Sequence, residues 1–136
     1  MAPPTKTIIH LLLVHNKIQD VITSSLKPFD VSIQQFNVLR ILRGQKGVPV
    51  NMATINDRMV TKMSNTTRLV DKLMAKGMVL RKVCPDNRRK VQITITTLGR
   101  EKLALMDEVV LSAEKQLLQN LSERDMEQLN NLLDKF

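Results

Sequence analysis

Residues 78–97 place the tightest limit on what this chain can fold into. Elsewhere the apolar residues recur at three- and four-residue spacing, but from Val91 to Thr96 they alternate strictly, Val91, Ile93 and Ile95 against Gln92, Thr94 and Thr96. A period of two sends alternate side chains to opposite faces, so one face of this segment is buried and the other wet. Met78 to Val83 is a second β-favouring segment, joined to the first by Cys84-Pro-Asp-Asn-Arg-Arg-Lys90. Together they read as a hairpin set in an otherwise helical chain.

The helices announce their own ends. Residues 5–26 carry Ile8, Leu11, Leu12, Ile18, Val21, Ile22 and Leu26 at helical spacing, with Ile9, Leu13 and Val14 widening the apolar surface. A face that wide needs cover on more than one side. Lys27-Pro28 ends this helix, because a residue before proline is driven out of the helical region. Ser32 and Gln35 stand at capping-box spacing, with Val31 and Phe36 placed as a hydrophobic staple, and the helix they open is stopped by Gly44 and Gly47. Asn51 caps a short third helix over Met52 to Arg58, with Val50 and Ile55 as its staple. A fourth runs from about Thr61 to Lys76 and stops at Gly77. After the hairpin, Thr96 or Thr97 caps a long helix through roughly Asn120, and Ser122 caps a last one ending near Lys135.

Charge is distributed as unevenly as structure. The net formal charge is +8; residues 51–100 hold 11 basic and 3 acidic residues, whereas residues 101–136 hold 4 and 8. A basic excess concentrated mid-chain favours a polyanionic partner. Trp and Tyr are absent and Phe occurs three times, so base stacking, the usual device of single-strand binders, has little to work with. If nucleic acid is the partner, a duplex is expected. No apolar run exceeds the four residues Leu11 to Val14, so no membrane span is expected. A single cysteine and the lack of a signal-peptide pattern point to a cytoplasmic location.

Helix, short helix, helix and hairpin is the order of a winged helix-turn-helix, in which the second helix of the motif enters the major groove and the hairpin tip reaches the flanking backbone or minor groove. In the fourth helix, about 100° per residue puts Thr66, Leu69, Val70, Leu73 and, at the edge, Met74 on one side. Ser64, Thr67, Arg68, Asp71, Lys72 and Ala75 form the other, a short, polar, cationic face. Arg88, Arg89 and Lys90 cluster at or near the hairpin tip, where a wing meets phosphates or a narrow minor groove. Asp71 is expected to hold Arg68 at i,i+3 rather than to touch DNA.

Two segments carry a more specific likeness. Asp86-Asn-Arg88-Arg89-Lys-Val91 followed by Ile95-Thr96-Thr97-Leu-Gly99-Arg100 resembles the wing signature of the MarR family of bacterial transcription regulators. Thr67-Arg68-Leu-Val-Asp71-Lys-Leu73, with Gly77, Val79 and Arg81 beyond, resembles that family's recognition helix and its exit into the wing. The resemblance implies one MarR-like domain over 1–136, mainly α (α+β), with a winged DNA-binding region at 30–100 and a helical dimerisation region at 1–28 and 101–136. It implies that Thr67 and Arg68 face DNA with Ser64 and Asn65 near the helix start, that Lys72 joins them, and that Asn87, Arg88, Arg89 and Lys90 serve the wing. Arg88 would enter the minor groove, oriented by Asp86. It further implies a homodimer on a pseudo-palindromic operator and a small-molecule effector held between the two regions. The dimer also has support from the residues themselves. The apolar positions of the first helix, added to Met106, Val109, Val110, Ala113, Leu117, Leu118, Leu121, Leu129, Leu132, Leu133 and Phe136, exceed what one small domain can cover.

Other chemistry finds little footing. Ser24, Ser25 and the scattered acids lack a paired base, and no Gly-rich phosphate loop, HExxH or CxxC pattern occurs, so neither an enzyme nor a cofactor is expected. His10 and His15 stand five apart, off register for joint metal ligation on a helix, and no metal is expected. Cys84 reads as a strand-end thiol. Met52, Met59, Met63, Met74 and Met78 read as filling for an irregular core rather than an effector pocket. The competing function class is a winged-helix module that pairs with a protein and reads no DNA, since fold alone does not fix function; the basic wing argues against it.

Overall fold

The structure, a computed structural model, describes residues 1–59 and 65–136; for Asn87, Arg88 and Arg89 it describes the backbone. The order of elements is α1 (Pro3–Leu26), a 3₁₀ turn (Lys27–Phe29), α2 (Ile33–Gly44), α3 (Met52–Arg58), α4 (Thr66–Ala75), β1 (Val79–Cys84), β2 (Asn87–Ile95), α5 (Thr97–Leu117) and α6 (Glu123–Leu133). This is the mainly helical winged helix-turn-helix expected from the sequence.

Local chemistry sets the boundaries. Ser32 Oγ accepts from the Gln35 amide at 3.1 Å while Gln35 Oε1 accepts from the Ser32 amide at 3.0 Å, the reciprocal pair of a capping box. Asn51 Oδ1 accepts from the Thr54 amide at 2.8 Å to open α3. Thr96 is the residue that caps α5: its Oγ1 accepts from the Gly99 amide at 2.9 Å and donates to the Gly77 carbonyl at 2.7 Å, so one hydroxyl starts a helix and ties it to the end of α4. Ser122 and Asp125 form a second reciprocal pair at the head of α6. Gly77, at φ 74°, takes the left-handed conformation that closes α4.

One core joins these elements. Leu39 and Leu42 of α2, Ile55 of α3, Leu73 of α4, Ile93 of β2 and Leu103 and Met106 of α5 are fully buried together with Leu26 at the end of α1. Met59 and Met78 are core residues as expected of them, Met52 is half-buried and Met74 is exposed at the edge of its helix; Met63 lies outside the described residues. α1 runs along α5, and α2 packs between α5 and α4. Cover fails toward the chain ends. Leu12, Leu13 and Val14 are more than half exposed, and α6 has no buried residue.

Several details differ from the sequence reading, and one is that α4 opens at Thr66 with Asn65 in its N-cap position, where the sequence placed the start at about Thr61. β2 begins at Asn87 rather than Val91, because Cys84 pairs with Asn87 across Pro85-Asp86. The register then breaks, since the next pair is Val83 with Val91, which leaves Arg88, Arg89 and Lys90 opposite a single step of β1. The backbone of the wing cations therefore sits at a bulge-like break of strand register near the hairpin end, not in an open loop. The sheet also gains a third participant. Val50, just before α3, exchanges hydrogen bonds of 3.1 and 2.7 Å with Ile93, tying the helix-turn-helix to the wing through backbone.

Candidate nucleic-acid interface

The recognition helix α4 presents its faces as the helical period requires. Thr66, Leu69, Val70 and Leu73 are buried, whereas Thr67, Arg68, Lys72 and Ala75 are exposed. Thr66 is a polar residue on the inner side, and its Oγ1 donates to Asn56 Oδ1 of α3 at 2.8 Å. That bond fixes the start of α4 against α3, the two halves of the helix-turn-helix. A buried hydroxyl without such a partner would be costly.

Asp71 does not hold Arg68. Its Oδ1 is 3.2 Å from a guanidinium nitrogen of Arg81 in β1, so the carboxylate ties the recognition helix to the wing. The local i,i+3 partner loses to one brought up by the fold. Arg68 is exposed and has no ion-pair partner among the described residues, which leaves its full charge for a ligand.

The remaining site residues are placed as follows. Asn65 is the N-cap of α4 by position but makes no side-chain cap bond; the residue is half-buried and its Oδ1 is closed off from solvent without a hydrogen-bond partner among the described residues. Ser64 lies outside the described residues. The backbone of Asn87, Arg88 and Arg89 forms the start of β2, Asp86 is exposed in the two-residue turn, and Lys90 is exposed on β2. Thr67 from α4 and Lys90 from β2 line one cavity of about 320 Å³ together with Asn51, Met52, Arg81 and Val91. The helix face and the wing thus share a groove. Sequence reasoning missed Arg81 as a member of this site; its signal was present, an arginine on the exit strand four residues past the helix-ending Gly77.

A second cavity, about 290 Å³, lies where α1, α2 and α5 meet. Ile18, Ile22, Phe36 and Leu117 make its walls, and Arg40 and Glu114 stand at it. The Arg40 guanidinium carbon is 5.4 Å from the Phe36 ring centroid, within cation–π range. Among the described residues no cluster of His, Cys, Asp and Glu could hold a metal ion, and no helix is long and apolar enough to cross a membrane. Cys84 is half-buried at the end of β1.

A helix-turn-helix with a basic recognition face beside a basic β-ribbon defines the winged-helix class of DNA-binding proteins. Residues 31–91 match the MarR family. Among characterised proteins, the chain is similar to the HTH-type transcriptional repressor IacR of Pseudomonas putida, 25% identical over 124 residues that span 91% of this chain and 73% of that protein. It is also similar to the multiple antibiotic resistance protein MarR of Escherichia coli, 28% identical over 134 residues, 97% of this chain and 90% of that protein. A crystal structure of an Escherichia coli MarR variant complexed with operator DNA superposes with a TM-score of 0.82 at 26% identity, covering 98% of this chain and 93% of the other. Over residues 31–91 by family match, and over nearly its whole length by fold, the chain is thus similar to transcriptional regulators of the MarR family.

Proposed function

We propose that the protein is a homodimeric repressor that reads a pseudo-palindromic operator in double-stranded DNA and releases it when a small molecule binds. The observation that carries this reading is the shared groove of Thr67 and Lys90, with Arg68, which has no ion-pair partner among the described residues, on the same helix. Thr67, Arg68 and Lys72 enter the major groove from α4, with Ser64 and Asn65 at its start. Asn87, Arg88, Arg89 and Lys90 serve the flanking backbone and minor groove from the wing, where Asp86 orients Arg88. The operator complex of the Escherichia coli relative supports DNA as the partner, and the name of the Pseudomonas relative supports repression. The cavity between α1, α2 and α5 is the place for an effector, because a ligand there would touch both the helical arms and α2.

A gel-shift with DNA from upstream of the protein's own gene tests the reading. Wild type should bind at low salt and lose affinity steeply as salt rises, because phosphate contacts displace counterions. Arg68→Ala and Arg88→Ala should each weaken binding. A protein that binds no duplex at low salt, or one indifferent to both substitutions, is not a DNA reader.

A further inference from the structure

Three ion pairs join the described residues, and two of them stand at opposite ends of α2. Before its first turn, Lys76, which closes the recognition helix, reaches Asp30 in the α1–α2 connection. Its Nζ is 3.2 Å from Asp30 Oδ2 and also donates to the Asp30 carbonyl oxygen. In its last turn, Arg43 pairs with Asp107 of α5. The 12 residues of α2, about 18 Å of helix, separate these ties. A tie at one point permits rotation about it. Two ties at separate points fix an angle.

The first tie stands directly after the connection by which α1 enters the winged unit, the single 3₁₀ turn Lys27–Phe29, and the second joins the far end of α2 to α5. Asp30 follows that turn in a left-handed conformation, φ 52°, and its amide donates to the Lys27 carbonyl at 2.9 Å. A continuous path therefore runs from the C-terminal end of the recognition helix through Lys76 and Asp30 to the end of α1. We propose that Lys76 and Arg43, through Asp30 and Asp107, are positioning residues: they set the angle at which each recognition helix stands off the dimer arms, and so the spacing of half-sites the dimer accepts. The inference rests on the DNA-binding homodimer proposed above.

Exposure separates this role from a purely structural one. The Arg43 and Asp107 side chains are 40% and 38% exposed, and Lys76, 27% exposed, pairs with an Asp30 that is 96% exposed, so solvent screens both pairs and the charges add little to the stability of the fold. Losing them should leave a folded dimer with a looser angle. Two-fold readers of this class contact half-sites about one helical turn apart, and a fixed angle makes that distance matter.

The test uses half-sites selected from random duplexes by the wild-type protein. They are rebuilt at the preferred spacing, with one or two base pairs inserted or removed, and as a lone half-site. Lys76→Met keeps the apolar stem and removes the charge; Asp107→Asn removes the charge that holds Arg43 without altering α2. Both should bind the lone half-site as wild type does, while the ratio of affinities between preferred and altered spacing shrinks by about threefold or more. Lys76→Arg should restore the ratio. An unchanged spacing profile in Lys76→Met and Asp107→Asn overturns the proposal, as does a loss by Lys76→Met at the lone half-site and at every spacing alike, which would make Lys76 a direct DNA ligand. A wild type that binds neither lone nor paired half-sites refutes the DNA-binding reading itself, and the positioning role with it.

Discussion

Gly99 shows how a single residue can be dictated by its neighbours. A Cβ at this position would lie 2.2 Å from the Met78 carbonyl oxygen and 2.8 Å from Ile95 Cγ1, so backbone as well as side chain blocks it. The glycine lets the first turn of α5 lie directly on the entry to β1. Gly99→Ala should cost about 1–3 kcal/mol by overpacking, with the larger figure favoured because a carbonyl cannot move aside as a side chain can. Urea unfolding followed by circular dichroism would show a lowered midpoint; an unchanged midpoint would mean the two elements do not touch here. Thr66→Val keeps the shape of the residue while removing the donor to Asn56 Oδ1. It should cost about 1–2 kcal/mol, since a half-buried acceptor loses its partner. DNA affinity should fall more than stability predicts, because the start of α4 is freed. Equal losses in binding and stability would show that the bond holds the fold without aiming the helix.

The helices were legible in the sequence because their signals are local. Ser32, Asn51, Thr96 and Ser122 each bond the amide three residues on, as their type and spacing require. The exposed face of α4 was legible for the same reason, since a fixed rotation per residue decides which side chains share a side. What the sequence hid is non-local. The Val50–Ile93 bridge joins segments that lie far apart in the chain, and the exchange of Arg68 for Arg81 as the partner of Asp71 depends on the path of β1. The register break at Arg88 to Lys90 was hidden too, because it is a property of pairing between two strands and neither strand alone displays it. Thr96 joins both kinds of information: one bond within its helix and one across to Gly77. Thr96→Ala should therefore cost about 2 kcal/mol, twice an ordinary cap, when measured by thermal or urea unfolding. Thr96→Ser, which keeps the hydroxyl, should recover most of it, and a serine variant as weak as alanine would point instead to the lost methyl group.

At the scale of the molecule the outstanding fact is a surplus of uncovered apolar surface. Ile8, Leu12, Leu13 and Val14 of α1 are 51–60% exposed, and Leu132 and Phe136 beyond them are 57% and 84% exposed. α6 makes the point sharply. None of its 11 residues is fully buried within the chain, yet an isolated helix of that length is marginal in water. A second copy, as proposed above, would supply the missing cover for both ends, and would also keep the acidic last quarter of the sequence away from phosphate. Leu12→Asp combined with Leu132→Asp should leave the winged unit folded, since neither side chain is in the core, while sedimentation moves from dimer to monomer. Operator affinity should then fall by about a hundredfold or more, because the second half-site is no longer bound at the high effective concentration that linkage provides. The slope of log K against log salt should fall to about half its wild-type value, since half the phosphate contacts remain. Lys72→Ala in the intact dimer gives the calibration: removing one phosphate partner from each subunit should flatten the slope by about 1.8. A wild-type protein that sediments as a monomer at micromolar concentration, or a double variant that keeps the full salt slope, would detach DNA binding from pairing and leave the apolar faces to another partner.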